Sequence, residues 1–333
     1  MTSLAALTTL RVGGPVSRLV EPQTERELVD AVKRTDHAEQ PLLVLGGGSN
    51  LLADDHGFDG VVVRDARRDI AVQADGHGRV SVTVTAGTPW EGVVARAVDE
   101  GWVGLEALSG IPGSTGATPV QNVGAYGAEV ADVIALVRVW DRLEDRVRSL
   151  RRADCGFAYR DSLLKRSMRG QAPDAGVWRP TPRYVVLDVT FEISVGTLSA
   201  PVRYAQLAAA LDVEEGERAP LADVRAAVLE VRARKGMVLD AADHDTWSAG
   251  SFFTNPILSA AQARSLPEEA PRFAAAGGDI KTSAAWLIEQ AGFPRGFRVS
   301  AGARAALSDK HTLALTNRGD ATAGEIRALA AAV

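Results

Sequence analysis

The sequence predicts an α+β protein of two or three domains. Its 333 residues exceed the usual size of one domain, and 46% hydrophobic with 24% charged residues is a normal globular mixture. Strand and helix patterns alternate over the first 65 residues, the alternation of a half-buried sheet follows from Arg79, and helical spacing returns after Pro201. The formal net charge of −5 argues against a general nucleic-acid binder.

The N-terminal segment predicts a small α+β unit. Thr24 and Glu27 form a Thr-x-x-Glu capping box, which opens a helix that runs to about Lys33. The apolar run 41–45 ends at three glycines, a pattern typical of a buried strand that enters a loop. Another short strand is predicted at 61–63.

The middle of the chain predicts a sheet with long loops. Valines alternate with polar residues from Val80 to Val84, and a helix is predicted from Trp90 to about Glu100. Further strands are predicted at 133–140 and 184–193, and the prolines and glycines of 170–182 indicate a surface loop.

The last third of the chain is mainly helical. Apolar residues at helical spacing predict a helix over 221–234, and shorter elements are expected as a helix at 283–290 and a strand at 311–316. Thr322 and Glu325 form a second capping box at the start of a final helix.

The single cysteine excludes an intrachain disulfide. Cys155 has no histidine near it in sequence, so we interpret it as a buried apolar residue. No signal-peptide pattern and no apolar stretch of about 18 residues is present. We therefore expect a cytoplasmic protein with no membrane association, and we expect a monomer without a metal site.

Two glycine-rich regions carry the strongest functional signal. In the first, Gly46, Gly47, Gly48, Ser49 and Asn50 follow a predicted strand, and consecutive backbone N–H groups in such a loop can bind a phosphate. A plain turn is the alternative. A Rossmann dinucleotide loop fits poorly, because Leu51 stands where that motif needs its third glycine.

The second region joins two small-residue loops. It spans the Ile-Pro-Gly-Ser-Thr-Gly run at 111–116 and the Gln-Asn-Val-Gly-Ala-Tyr-Gly run at 121–127. Small residues bring backbone donors close to a ligand, and hydroxyl and amide side chains add orienting hydrogen bonds. The residues expected to bind the cofactor here are Gly113, Ser114, Thr115, Gly116, Asn122, Gly124, Ala125, Tyr126 and Gly127.

Together these motifs resemble the FAD loops of the UDP-N-acetylenolpyruvoylglucosamine reductase family, over nearly the whole chain from about Leu10. The resemblance implies the two-subdomain FAD-binding fold of the vanillyl-alcohol oxidase and para-cresol methylhydroxylase group, followed by a substrate-binding α+β domain. It also implies FAD as cofactor, NADPH as hydride donor and UDP-N-acetylglucosamine enolpyruvate as substrate. On this basis we expect FAD subdomains at 1–66 and 67–200, a substrate domain at 201–318 and a returning helix at 319–333.

The resemblance also assigns roles to residues outside the glycine loops. Arg160, in a Tyr-Arg motif, is implied to bind the substrate carboxylate, although a surface Arg–Asp pair is the simpler interpretation of the residues alone. Ser251, in Gly-Ser-Phe-Phe-Thr-Asn-Pro, is implied to be the proton donor, and a packed turn hydroxyl is its alternative. The implied substrate-binding residues are Tyr159, Tyr204, Lys235, Asn255 and Gln290.

The family further implies a glutamate in a short strand beyond the last helix. The printed chain ends at Val333, and no glutamate follows Glu325, so we expect a truncated sequence. Two rival functions stay open: another flavin oxidase of the same fold, and a non-catalytic UDP-sugar-binding relative.

Overall fold

The computed structural model describes residues 2–172 and 176–333, so part of the predicted surface loop at 170–182 lies outside the described residues. It divides into two compact units. The first comprises Thr2, Val16–Gly47 and Phe58–Ala233, and the second comprises Ser3–Pro15, Gly48–Gly57 and Arg234–Val333. Both units are therefore assembled from separated stretches of chain. The predicted domain boundaries stay predictions.

The first unit contains a three-stranded and a larger sheet with their helices. Its elements in chain order are β1 (Val16–Val20), α1 (Glu25–His37), β2 (Leu42–Val44), β3 (Phe58–Val63), β4 (Ile70–Ala74), β5 (Arg79–Thr85), α2 (Trp90–Asp99), β6 (Trp102–Val103), α3 (Thr118–Gln121), β7 (Gly124–Ala125), β8 (Ala128–Glu129), β9 (Ile134–Asp141), β10 (Arg146–Arg151), α4 (Leu163–Ser167), β11 (Tyr184–Val195), α5 (Ala205–Leu211) and α6 (Leu221–Arg234).

The small sheet is parallel, with strand order β1-β3-β2. Buried Leu28 and Val32 of α1 pack in one cluster with its strands. The Thr24 hydroxyl caps α1 by accepting from the Glu27 N–H at 3.2 Å. The capping box predicted here is only half correct, because the Glu27 carboxylate accepts from the Gln23 N–H at 2.8 Å, one residue earlier.

The larger sheet is antiparallel, with the order β10-β9-β11-β5-β4 and β6 added beside β11. In its centre, Val82 lies opposite Phe191 across the β5–β11 pair. Trp90 of α2 is fully buried, and its ring centroid lies 5.9 Å from that of Phe191. This core fixes the start of α2, next to which the second glycine-rich region lies.

The second unit has smaller elements. These are β12 (Ile257–Leu258), α7 (Ala260–Ala263), β13 (Phe273–Ala274), β14 (Ile280–Lys281), α8 (Ala284–Gln290), β15 (Ala305–Leu307), β16 (Leu315–Asn317) and α9 (Ala323–Ala332). Strands β12, β14 and β13 form one antiparallel sheet, and β15 pairs with β16 as a hairpin.

The hairpin of the second unit packs with α9 around a buried apolar cluster that includes Leu10, Leu307 and Ile326. The capping box at Thr322 and Glu325 is confirmed, since the Thr322 hydroxyl accepts from the Glu325 N–H at 3.1 Å and the Glu325 carboxylate accepts from the Thr322 N–H at 2.9 Å. The strand predicted at 311–316 is displaced: β16 begins at Leu315, and residues 308–314 form the hairpin connection. Within the described ranges, no helix is long and apolar enough to cross a membrane.

Candidate functional site

The glycine-rich regions at 46–47 and 113–116 lie against each other in the first unit. A Cβ atom on Gly47 would stand 2.6 Å from the Gly113 Cα, and one on Gly46 would stand 2.5 Å from the Ser114 Oγ. A Cβ on Gly116 would stand 2.5 Å from the Ala86 Cβ. Since carbon atoms in contact are normally about 3.5–4 Å apart, Gly47 and Gly116 leave no room for a side chain, whereas a side chain at Gly46 would require the Ser114 hydroxyl to move. The two regions that the sequence predicts to bind the cofactor therefore lie side by side.

The paired loops offer backbone hydrogen-bond donors. The 113–116 loop is anchored to the segment before α2 by bonds from the Trp90 N–H to the Gly113 carbonyl and from the Thr115 N–H to the Thr88 carbonyl. In the described part of the chain, the N–H groups of Gly46, Gly47 and Ser114 make no hydrogen bond to protein. Such a cluster of uncommitted N–H groups, with no side chains between them and a ligand, suits the phosphates of a dinucleotide.

Two polar side chains predicted to orient the cofactor bond to the protein instead. Asn122 is fully buried; its Nδ2 donates to Glu129 at 2.7 Å and to the Ala158 carbonyl at 3.0 Å, and its Oδ1 accepts from the Ala131 N–H at 3.3 Å. Thr115 is also fully buried and donates its hydroxyl to the Thr88 carbonyl at 2.9 Å. Burial of a polar group demands such internal partners, so these side chains shape the loops.

The remaining loop residues differ in accessibility. Gly48 has φ +64°, and a Cβ there would stand 2.0 Å from the Leu7 carbonyl oxygen, so only glycine fits. Ser49 and Ala125 are half-buried, whereas Asn50 and Gly127 are exposed. Gly127 also takes a positive φ of +81°.

Arg160 is joined to the Gln121–Gly127 loop. Its guanidinium donates to the Asn122 carbonyl at 3.2 Å and to the Gly124 carbonyl at 2.5 Å. Its backbone has φ +53°, a left-handed conformation that costs a non-glycine residue energy and is common at functional sites. The simpler interpretation, a pair with Asp161, is excluded because Asp161 bonds to Arg166 at 2.7 Å.

Lys165 is a residue that the sequence reasoning missed. Its Nζ donates to the Gln121 Oε1 at 2.7 Å and to the Arg160 carbonyl at 2.8 Å. Burial, and after it the charge of Arg169, lowers the pKa of this lysine. Lys165 therefore connects the backbone of Arg160 to Gln121, at the start of the loop whose carbonyls accept hydrogen bonds from the Arg160 guanidinium.

Tyrosines flank the same loop. Tyr126 and Tyr204 meet edge to face, with ring centroids 5.5 Å apart, and Tyr204 is 42% exposed at the residue before α5. Burial raises the pKa of Tyr126. The Arg160 guanidinium lies 5.4 Å from the ring centroid of Tyr159, which is half-buried.

Ser251 and His311 form a hydrogen-bonded pair in the second unit. The Ser251 Oγ lies 3.0 Å from the His311 Nε2. The Phe252 N–H donates to the Leu313 carbonyl at 2.8 Å, which fixes the serine loop beside the β15–β16 connection. The alternative prediction of a turn hydroxyl packed under aromatic rings is wrong, since Ser251 is exposed.

The other predicted substrate residues occupy separate places in the second unit. The Asn255 Oδ1 accepts from the Ala284 N–H at 3.0 Å at the start of α8. Gln290, at the end of α8, is exposed and lines a cavity with Trp286 and Glu269. Lys235 lies in the turn that follows α6.

Comparisons with known proteins find matches to both the N-terminal and the C-terminal part of the chain. A family model described as "FAD binding domain" matches residues 16–149, and one described as "UDP-N-acetylenolpyruvoylglucosamine reductase, C-terminal domain" matches residues 241–333. The UDP-N-acetylenolpyruvoylglucosamine reductase of Cutibacterium acnes is 52% identical, over 99% of this chain and 84% of the relative. That of Thermobifida fusca is 50% identical, over 98% of this chain and 90% of the relative.

This chain belongs to the UDP-N-acetylenolpyruvoylglucosamine reductase family. The solved reductase of Thermus caldophilus has the same fold, with a TM-score of 0.61 at 27% identity over 99% of this chain and 92% of that one. The predicted fold class and the FAD cofactor are thereby confirmed. The glycine cradle, formed by the closely packed residues Gly46, Gly47 and Ser114, fits the group because it presents uncommitted backbone N–H donors.

The predicted burial of the single cysteine is confirmed. Cys155 is fully buried, and burial raises the pKa of its thiol to about 12. Its burial agrees with the sequence prediction, and a thiol with so high a pKa is poorly reactive.

Proposed function

We propose that this chain reduces UDP-N-acetylglucosamine enolpyruvate to UDP-N-acetylmuramate, with FAD as bound cofactor and NADPH as hydride source. The reaction supplies a peptidoglycan precursor, and we place it in the cytoplasm with a monomeric enzyme. Family membership supports the proposal, and one contact carries it: the Arg160 guanidinium donates to the carbonyls of the Asn122–Gly124 loop, which joins the expected substrate motif to an expected cofactor loop.

The glycine cradle would hold the cofactor. Gly46, Gly47 and Ser114 contribute backbone N–H donors, and the lack of a side chain at Gly47 lets the first loop approach the backbone of Gly113. When bound there, FAD would supply the redox chemistry that links hydride from NADPH to reduction of the substrate vinyl group.

Arg160 binds and stabilises the substrate carboxylate in this proposal. A guanidinium has five N–H donors, and the two contacts to carbonyls hold this one in place while three N–H groups remain for a carboxylate. Hydride addition at the terminal vinyl carbon shifts negative charge toward the carboxylate. A cation already oriented by the protein stabilises that charge without reorganisation.

Ser251 donates the proton that completes the reduction. The Oγ–H bond breaks as a C–H bond forms at the carbon next to the carboxylate. Its exposed position is accessible to a ligand, and its bond to His311 gives the hydroxyl a fixed partner. Proton donation by a positioned side chain typically contributes about 10²–10⁴-fold in rate.

Five residues would bind the nucleotide sugar. Tyr204 offers an exposed ring, Lys235 a cation for the diphosphate and Gln290 an accessible amide, while Tyr159 and Asn255 complete the set. This assignment rests on the motif resemblance together with the exposure of Tyr204 and Gln290.

Stopped-flow absorbance of the flavin band tests the function. NADPH should bleach the band under anaerobic conditions, and UDP-N-acetylglucosamine enolpyruvate should then restore it. Bleaching of the band by an alcohol, followed by restoration with oxygen and release of hydrogen peroxide, would identify a flavin oxidase instead. Tight binding of the UDP-sugar without restoration would identify a non-catalytic binding protein.

The Ser251→Ala variant tests the proton donor. Bleaching by NADPH should stay near the wild-type rate, whereas restoration by the UDP-sugar should slow by roughly 10²–10⁴-fold. Ser194→Ala, at an exposed position of β11, is the matched control and should leave both steps unchanged. Equal slowing of both steps in Ser251→Ala would exclude this role for the hydroxyl.

A further inference from the structure

We propose that His311 is a positioning residue for proton transfer: its Nε2–H donates to the Ser251 Oγ, directs the serine proton toward the substrate and then returns a proton to the serine. The inference rests on the proposed function and deepens it. It starts from the 3.0 Å contact between the Ser251 Oγ and the His311 Nε2.

The backbone around His311 is held from several sides. The His311 N–H donates to the Ser308 Oγ at 3.1 Å, and that hydroxyl donates to the Asp245 Oδ1 at 2.8 Å. The Ala314 N–H donates back to the His311 carbonyl at 3.0 Å. The imidazole therefore meets Ser251 from a closed turn of seven residues, 308–314, whose ends are the paired strands β15 and β16.

The serine loop is fixed against the same turn. The Phe252 N–H donates to the Leu313 carbonyl at 2.8 Å, and the Gly250 N–H donates to the Ser248 Oγ at 3.2 Å. Ser251 stands between these two anchored residues. The contact between the side chains is thus set by backbone hydrogen bonds on both partners, which is what a proton-transfer pair requires.

The chemistry explains why a serine acid needs such a partner. An alcohol is a very weak acid, so loss of its proton leaves an alkoxide that must be neutralised. The protonated form of a histidine side chain, imidazolium, is an acid that can supply a proton near neutral pH. Its Nε2–H bond breaks as a new Oγ–H bond forms on the serine alkoxide, which leaves neutral imidazole, and the half-buried ring then regains a proton from water.

The direction of the hydrogen bond separates this role from nucleophile activation. If the serine donated to a bare Nε2, the histidine would be a base that makes the serine a nucleophile. If Nε2–H donates to Oγ, the serine proton stays available to the substrate. The proposed reduction needs the second arrangement.

Charged side chains bond to residues of the turn and to its neighbours. Lys310 bonds to Asp243, Asp245 receives the Asp309 N–H at 2.8 Å, and the Arg318 guanidinium lies 3.1 Å from Asp245. From α8, Glu289 accepts the Thr312 hydroxyl.

His311→Gln tests the inference, because glutamine can still donate a hydrogen bond but cannot supply a proton. Bleaching by NADPH should stay within about twofold of wild type, and restoration by the UDP-sugar should slow at least tenfold. The wild-type restoration rate should fall as the pH rises, because deprotonated imidazole cannot return a proton to the serine, and this dependence should vanish in the variant. His77→Gln, in the exposed β4–β5 turn, is the matched control and should change neither rate nor pH profile.

A spectroscopic measurement on the unsubstituted holoenzyme needs no variant. Long-range ¹H–¹⁵N spectra of histidine-labelled protein report whether Nε2 of His311 carries a proton at the pH of activity, with Ser251→Ala to assign the contact. A protonated Nε2 supports the inference, and an unprotonated one overturns it. If His311→Gln restores the flavin band with wild-type kinetics and an unchanged pH profile, the inference about His311 is wrong but the proposed function stands. If the wild type itself fails to respond to the UDP-sugar, the proposed function is wrong as well.

Discussion

Gly47→Ala should separate the two glycine loops and weaken FAD binding. The new Cβ would stand 2.6, 2.9 and 3.2 Å from the Gly113 Cα, C and N atoms. All three are backbone atoms, so no side-chain rotation can relieve the contact. A normal carbon contact of about 3.5–4 Å requires the loops to part by roughly 1 Å. Overpacking of this kind costs about 1–3 kcal/mol of folding free energy.

The same displacement reaches the ligand. A hydrogen bond to a charged acceptor contributes about 1.5–3 kcal/mol, so misplacing one N–H donor should weaken FAD binding roughly ten- to a hundred-fold. Fluorescence titration of the apoprotein with FAD measures the affinity, and urea unfolding of the apoprotein measures the folding free energy.

Gly92→Ala is the control for the chemical change itself. Gly92 is an exposed residue of α2, and a Cβ there meets no atom within 4 Å. Alanine should stabilise the helix by up to about 1 kcal/mol and leave FAD affinity unchanged. Wild-type FAD affinity together with wild-type stability in Gly47→Ala would refute the argument from loop contact.

Three further outcomes follow from other contacts. Lys165→Met removes the bonds to Gln121 and to the Arg160 carbonyl, so it should slow substrate-dependent restoration of the flavin band about tenfold while NADPH bleaching is retained. Lys33→Met, which breaks an exposed pair with Asp145, is the control. Equal effects of the two variants would contradict the role assigned to Lys165. The pKa of Glu325 is lowered to about 2, first by the Thr322 N–H and then by Arg304. Because the folded-state pKa is depressed, wild type should be more stable than Glu325→Gln by a constant amount above about pH 4.5, and this difference should disappear as the pH falls toward 2. At this solvent-accessible site the difference in free energy of unfolding should stay below about 1 kcal/mol. Urea unfolding across that pH range measures it, and a difference that grew in acid would contradict the reasoning. Cys155 should resist thiol reagents in the folded protein at pH 8, since its pKa is raised to about 12, and rapid modification without unfolding, followed by mass spectrometry, would show that its burial is wrong.

The sequence predicts those elements whose apolar pattern is strong. The helix over 221–234 appears with those bounds, because its buried valines recur at helical spacing. Strands β4 and β10 were missed, since most of their residues are exposed and carry no alternation. An edge strand is defined by the neighbour with which it pairs, and that neighbour is not visible in local sequence.

The residues of the candidate site were likewise predictable only where the local sequence carries a signal. Glycines at 46–47 and 113–116 could be singled out because clustered small residues are a local signal. Lys165 and His311 could not, because each acts through a residue that only the fold brings near. Sequence position even misled for His311, which was expected in a strand and lies in a turn.

The assembly of the second unit from three separated segments has a consequence during synthesis. Asn317 bonds through its amide to the carbonyl of Leu10, 307 residues earlier in the chain. At ribosomal rates of about 5–20 residues per second, the apolar segment around Leu10 waits roughly 15–60 s for its partner. During that interval the apolar surface around Leu10 is exposed, and it is buried only when the last hairpin of the second unit folds against it.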